Sequence, residues 1–120
     1  MRKIILVFLV VLIMCIAQHS NAAVFRGYAH ESITVTDTAI GFTAATMKPP
    51  SGERPDKVVF VVETAQIRYT LDGTAPTSAL GLLGEIGDIV IIEGEANANA
   101  FQAIRTGATS AVIQPHYFSR

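Results

Sequence analysis

The stretch that decides the fold reads Ile67-Arg68-Tyr69-Thr70-Leu71-Asp72-Gly73-Thr74-Ala75-Pro76-Thr77. Apolar and polar residues alternate over residues 67–71, which predicts a β-strand with one apolar face. Asp72 and Gly73 follow, and both tolerate the positive φ of a tight turn, so we predict a two-residue hairpin at this point. Pro76 has no N–H to give to a ladder, so a central strand does not continue through it. We therefore assign Asp72, Gly73 and Pro76 a structural role in a turn.

Working outward, the same kind of pattern recurs along the chain. Short runs rich in β-branched and aromatic residues are separated by turn residues, and no long amphipathic helical pattern is present. The predicted strands cover residues 32–36, 58–64, 67–71, 88–93, 101–105 and 110–118, with a shorter apolar pair at Ile40 and Phe42. Residues 80–87 are punctuated by glycines and are predicted to form a loop. About seven short strands at this spacing are typical of an all-β, immunoglobulin-like antiparallel sandwich.

The run over residues 58–62 (VVFVV) is apolar without alternation, which is typical of a strand buried on both faces. We expect a single core, filled by apolar residues from most of the strands. The predicted core residues are Val35, Phe42, Val59, Val61, Ile67, Tyr69, Leu71, Ile89, Ile91, Phe101, Ile104 and Val112.

The N-terminal segment differs from the rest of the chain. Arg2 and Lys3 precede an apolar run over residues 4–17, and small residues at Ser20 and Ala22 fit a cleavage site before Ala23. The run is short for a membrane span, which needs about 20 residues. We predict a signal peptide over residues 1–22 and one sandwich domain over residues 23–120. An uncleaved membrane anchor and a start codon placed too far upstream remain alternatives.

If the leader is used, the chain is exported to a periplasmic or extracellular location, and it contacts a membrane only if the leader stays uncleaved. Cys15 lies inside the leader, and Met14 before it is too large for lipoprotein cleavage, so no lipidation is expected.

The charge of the chain without the leader is mildly acidic, because removing Arg2 and Lys3 from the nine basic residues leaves seven against ten acidic ones. No basic cluster interleaved with aromatic residues is present, so we expect no nucleic-acid partner.

The candidate chemical groups form no recognisable catalytic or metal-binding motif. His30 and His116 lack the companion ligands at regular spacing that a metal site needs. No serine lies in a Gly-x-Ser-x-Gly motif, and the glycine-rich residues 81–87 precede a strand, not the helix that a phosphate site requires. Glu93 and Glu95 lie beside a turn, where carboxylates usually keep a strand end solvated. We expect no catalytic, cofactor-binding or metal residues, no cofactor, and no enzyme activity.

Two resemblances bear on function. The spacing of Ile67, Tyr69, Thr70, Asp72, Gly73, Pro76 and Thr77 resembles the strand-turn signature of the accessory immunoglobulin-like module of chitobiases and other hexosaminidases. In that family the chemistry lies in another domain. This resemblance implies an exported binding module, with carbohydrate as a candidate ligand and Tyr69 as a candidate contact.

The second resemblance covers more of the chain. The segments Gly27-Tyr28-Ala29-His30-Glu31, residues 65–77, residues 101–107 and Tyr117-Phe118 look like parts of small proteins from tailed-phage structural gene clusters. This resemblance implies a non-enzymatic, virion-associated β-sandwich subunit that decorates or joins parts of a particle. Its partners would be other virion subunits or further copies of itself. We favour this function, with the exported binding module as the alternative and an enzyme as the weakest hypothesis.

Overall fold

The computed structural model describes residues 23–120, and the predicted signal peptide over residues 1–22 lies outside the described residues. Nine strands and two short helices follow one another along the described chain. The strands are β1 (Arg26–His30), β2 (Ile33–Val35), β3 (Lys57–Glu63), β4 (Ile67–Thr70), β5 (Leu82–Gly84), β6 (Ile89–Glu93), β7 (Gln102–Arg105), β8 (Ala111–Ile113) and β9 (His116–Ser119). The helices are α1 (Ala44–Met47) and α2 (Glu95–Ala100).

The strands form two antiparallel sheets. In the larger sheet, β3 pairs with β6 on one side and with β8 and β9 on the other, while β2 and β1 lie outside β8 and β9. The smaller sheet has the order β5-β4-β7. The prediction of an all-β antiparallel sandwich is confirmed, and β6 and β5 each form an outer strand of their sheet.

Two strands of the larger sheet are interrupted. Nine strands replace the predicted seven because residues 110–118 form two strands, β1 and β5 were not predicted, and the pair at Ile40 and Phe42 gives only an isolated bridge from Ile40 to Ala103. β8 and β9 meet β3 in one continuous register, with Val62 opposite Ile113 and Val59 opposite His116, and they are separated only at Gln114 and Pro115. Proline cannot donate to a ladder, so the strand is broken there. β1 and β2 form a second interrupted strand, which pairs with the interrupted strand formed by β8 and β9. This second strand has a bulge between Gly27 and Ala29.

The core lies between the sheets and is rich in aromatic residues. Phe42 stacks on Phe101 with ring centroids 4.2 Å apart, and Phe60 and Tyr117 meet Phe42 edge-on at 6.2 and 5.6 Å. Such aromatic pairs contribute about 0.5–1.5 kcal/mol each beyond the burial of apolar area.

Part of the predicted core is correct. Val35, Phe42, Ile67 and Phe101 are buried, and Tyr69 and Leu71 are half-buried and pack against the core. For three strands, however, the predicted face was wrong. On β3, β6 and β8 the buried residues are Val58, Phe60, Val62, Val90, Ile92, Ala111 and Ile113, and the predicted Val59, Val61, Ile89, Ile91 and Val112 lie on the other face. On β7, Ala103 is buried and Ile104 is half-buried.

The predicted two-residue hairpin at Asp72 and Gly73 was also wrong. β4 pairs with β5, with Tyr69 opposite Leu82, so residues 71–81 connect the two strands as a long loop. The sequence pattern missed β5 because its three residues, Leu82–Gly84, show no alternation and end in a glycine. It also missed β1 and α1, which are short.

Candidate functional site

Most of the exposed large hydrophobic residues of the described chain lie on or beside two consecutive outer strands, β5 and β6. Six of them lie within residues 80–91, and Val61 on the neighbouring strand β3 is the seventh member of the group. Their side chains are 38–67% exposed. We call this surface the apolar edge, and its residues are Val61, Leu80, Leu82, Leu83, Ile86, Ile89 and Ile91. Contiguous exposed apolar surface on a protein usually marks an interaction site.

These residues remain exposed because β5 and β6 are outer strands of different sheets, and the two strands follow each other in the chain. Residues 85–88 cross from one sheet to the other. Gly87 N donates to Val62 O at 2.8 Å, and Gln66 Nε2 donates to Glu85 Oε1 at 2.8 Å, which ties the crossing to both sheets. The apolar edge therefore comprises the outer strands β5 and β6 and the crossing between them.

Gly84 makes the close approach of β5 to the larger sheet feasible. A Cβ atom at this position would lie 3.0 Å from Cγ1 of Ile67 and 3.1 Å from Cγ2 of Val62. Both of those side chains are fully buried. A larger residue at position 84 would push β5 away from the core.

The outward-facing side of β3 and β6 continues the apolar edge as a row across the sheet. Ile91 lies opposite Val59, Val59 opposite His116, and His116 opposite His30. The two histidine rings stack with centroids 5.2 Å apart. A shallow groove of about 280 Å³ lies on this face, and its lining includes Val59, Val61, Gln114, His116 and Phe118.

The charged residues in the segment that carries most of the apolar edge are all acidic. No lysine or arginine occurs over residues 71–104, whereas Asp72, Glu85, Asp88, Glu93 and Glu95 all lie there. Three cations lie near this segment. Arg68 lies opposite Leu83 and donates from its guanidinium to Gly81 O at 3.0 Å. Arg54 Nε lies 3.9 Å from Glu95 Oε1, and the Lys57 ammonium lies 4.3 Å from the centre of the Phe25 ring. The apolar edge is thus bordered by carboxylates.

Asp72, Gly73 and Pro76, the three residues predicted to form a turn, follow the C-terminal end of β4. Asp72 Oδ1 accepts a hydrogen bond from Thr74 N at 3.0 Å, and Gly73 has a φ of 83°. Pro76 is buried, and a Cβ at Gly81 would lie 3.3 Å from its Cβ. The three residues stay together, but they fold a long loop back onto β4 and do not form a hairpin.

Of the candidate chemical groups, His30 and His116 come together as the stacked pair described above. Among residues 23–120 there is no group of three or more His, Cys, Asp or Glu side chains arranged to hold a metal ion. Tyr69, the candidate carbohydrate contact, packs against Phe101 at 5.9 Å between centroids, and its burial raises its pKa. Its ring therefore belongs to the edge of the core.

A hydrogen-bonded cluster fixes the opposite side of the sandwich. The Tyr117 hydroxyl donates to Glu31 Oε1, and Thr43 N donates to the same oxygen at 3.0 Å. Burial, then this hydrogen bond, raises the pKa of Tyr117. The Tyr28 hydroxyl donates to Met47 O at 2.5 Å, and burial together with the nearby Glu53 carboxylate raises the pKa of Tyr28 to about 12. Both tyrosines are therefore protonated at neutral pH, and they connect β1 and β9 to the segment around α1.

Comparisons with known proteins give no relative: no family model, no curated protein and no solved structure matches this chain. Within residues 23–120, no helix has the length and apolar character needed to cross a membrane.

Sequence reasoning missed the apolar edge because it placed Ile89 and Ile91 in the core and residues 80–87 in a loop. The sequence did contain one signal of this exposed surface. Residues 80–93 carry leucine or isoleucine at seven positions without alternation, and in an antiparallel sheet with one solvated face such a run leaves some of these residues exposed.

Proposed function

We propose that this chain is a non-enzymatic structural subunit that joins or decorates a larger protein assembly, and that the assembly is a virus-like particle of the tailed-phage type. The observation that carries the proposal is the apolar edge. Isolated exposed apolar residues are normal, but a cluster on two neighbouring outer strands is a feature of protein interfaces. The resemblance to products of phage structural gene clusters supports the choice of particle.

The alternative of an exported carbohydrate-binding module receives less support. A shallow groove of about 380 Å³ lies beside Tyr69, Asp72 and Leu82. Carbohydrate sites commonly present a flat aromatic ring to the sugar, and here the Tyr69 ring packs on Phe101 instead. The groove is the place to examine if the assembly test fails.

Sedimentation of the full-length, tagged chain from cells that carry the gene tests the proposal. We expect the wild-type chain to sediment with a large protein particle. The double variant Ile89→Ser/Ile91→Ser should remain in the slowly sedimenting fraction, because it loses the apolar contact without gaining a charge. Ile40→Ser, which changes an exposed isoleucine outside the apolar edge, is the matched control and should sediment like wild type. A wild-type chain that never enters a particle would contradict the proposal.

A further inference from the structure

The backbone hydrogen bonds at the two ends of β6 show which of its groups are free. At one end Val62 N donates to Asp88 O at 3.0 Å, and at the other Gly94 N donates to Asp56 O at 2.8 Å. Hydrogen-bonded and non-hydrogen-bonded pairs alternate along an antiparallel ladder. The even-numbered residues of β6 therefore bond to β3, and the odd-numbered ones direct their N–H and C=O groups away from it.

Ile89, Ile91 and Glu93 are the odd-numbered residues of β6. Within residues 23–120, β6 has no strand partner other than β3, so the groups of Ile89 and Ile91 face an open edge. At the end of the strand the Asn97 side chain donates from Nδ2 to Glu93 O at 2.9 Å. The open part of the edge is therefore the apolar part.

Proteins usually block such an edge with a proline, an inward-pointing charge, a lysine or a bulge. The residues of β6, Ile-Val-Ile-Ile-Glu, contain no proline and no lysine, and their pairing with β3 runs from Lys57 opposite Glu93 to Val61 opposite Ile89 without a register shift. An edge with these properties is a template for another strand.

The charges decide between a second copy of this chain and a different partner. Asp88 and Glu93 lie at the two ends of the open edge, and both are exposed. The Asp88 carboxylate accepts a hydrogen bond from Glu85 N at 2.8 Å, and Lys57 lies opposite Glu93 in the ladder to β3. Pairing with a second β6 would bring two more carboxylates to the same short ladder. A strand with lysine or arginine at its ends would instead place opposite charges next to them, which favours correct pairing.

We propose that β6 accepts one strand from a partner protein, an extended segment with apolar residues at alternate positions and basic residues at its ends. The added strand forms backbone hydrogen bonds with Ile89 and Ile91, and its alternate side chains extend the apolar row formed by Ile89, Ile91, Val59 and Val61. This inference rests on the proposed function as an assembly subunit, and it specifies how the subunit attaches.

A peptide array and one proline variant of the full-length chain test the inference. The array holds extended peptides of about nine residues that alternate apolar residues with threonine and end in either lysine or glutamate. We expect binding to lysine-ended members only, with affinity that falls as salt is added. Ile91→Pro removes an N–H that points to the open edge and leaves the ladder to β3 intact. It should weaken binding at least about tenfold, whereas Ile91→Thr, which keeps the N–H, should weaken it much less.

Other outcomes overturn the inference. If no array member binds, or if Ile91→Pro and Ile91→Thr bind equally, strand addition is wrong. If glutamate-ended peptides bind as well as lysine-ended ones, the basic partner is wrong. If the chain is a dimer that Ile91→Pro dissociates, the edge is occupied by a second copy. In each case the sedimentation result for Ile89→Ser/Ile91→Ser still decides the proposed function separately.

Discussion

Ile89 lies directly opposite Val61 in the antiparallel pair of β6 and β3, and both side chains point away from the core, 67% and 38% exposed. The neighbouring pair, Val90 opposite Phe60, points inward and is buried. Two adjacent residues of one strand thus have opposite environments although both are apolar. The apolar edge, the proposed assembly role and the strand-addition site all depend on this assignment of faces.

The first prediction compares threonine substitutions on the two faces of β6. Val90→Thr buries a hydroxyl group and should lower the free energy of unfolding by about 1–3 kcal/mol. Ile89→Thr leaves the hydroxyl in water and should change it by no more than about 0.5 kcal/mol. Urea denaturation of both variants measures the difference. Equal destabilisation would mean that Ile89 is buried in solution.

The second prediction concerns the loop after β4. Gly73 and Gly81 both have positive φ, 83° and 125°. A Cβ at Gly73 meets nothing within 4 Å, whereas a Cβ at Gly81 would lie 2.9 Å from Tyr69 O. Gly73→Ala should therefore cost only the backbone strain, about 1–2 kcal/mol, and Gly81→Ala should cost more.

Gly107→Ala is the control for this pair, because Gly107 has no positive φ and no close neighbour. It should be close to neutral. Thermal denaturation ranks the three variants, and a Gly81→Ala protein no less stable than Gly73→Ala would show that the loop does not pack against Tyr69.

The third prediction concerns Tyr117 and Glu31. The hydroxyl of the fully buried Tyr117 donates to the Glu31 carboxylate. Glu31→Ala leaves that hydroxyl without its acceptor and should cost about 1–3 kcal/mol, whereas the same change made on a Tyr117→Phe background should cost less. A double-mutant cycle in urea measures the coupling between the two residues. Fully additive effects would mean that the hydrogen bond contributes nothing to stability.

The fourth prediction is a loss of stability at alkaline pH. Burial and the Glu53 carboxylate raise the pKa of Tyr28 from 10.0 to about 12 in the folded chain. The folded state therefore binds more protons than the unfolded state between these values, and stability falls as the pH rises from about 10 to about 12. Tyr28→Phe should be less stable at pH 8 but should lose less stability over that interval. Denaturation curves at several pH values measure this, and identical slopes for the two proteins would contradict it.

Most strand positions, though not those of β1 and β5, could be predicted from sequence because the turn residues between the strands are local signals. Residues 58–64 and 88–93 were predicted as strands, and β3 and β6 occupy Lys57–Glu63 and Ile89–Glu93. Alternation also placed Ile67 in the core and Arg68 outside it. These features need no knowledge of the neighbouring strands.

The choice of face on β3 and β6 could not be predicted in this way. Valine and isoleucine occupy both faces, so the pattern carries no information about which side packs on the core. That side is decided by tertiary packing, since Phe60 contacts the Phe42–Phe101 pair and fixes Val58 and Val62 on the same face. Because the faces were reversed, the apolar edge was hidden in the predicted core. The leader over residues 1–22 and its cleavage before Ala23 stay predictions.

Amide hydrogen exchange along β6, measured by NMR on the full-length chain, tests the central claim most directly. The amides of Val90 and Ile92 should exchange slowly, because they bond to β3, and those of Ile89 and Ile91 should exchange rapidly, because they face the open edge. A lysine-ended strand peptide should then slow exchange at Ile89 and Ile91. Slow exchange at Ile89 and Ile91 in the isolated monomer, or rapid exchange at Val90 and Ile92, would contradict the open edge on which this account rests.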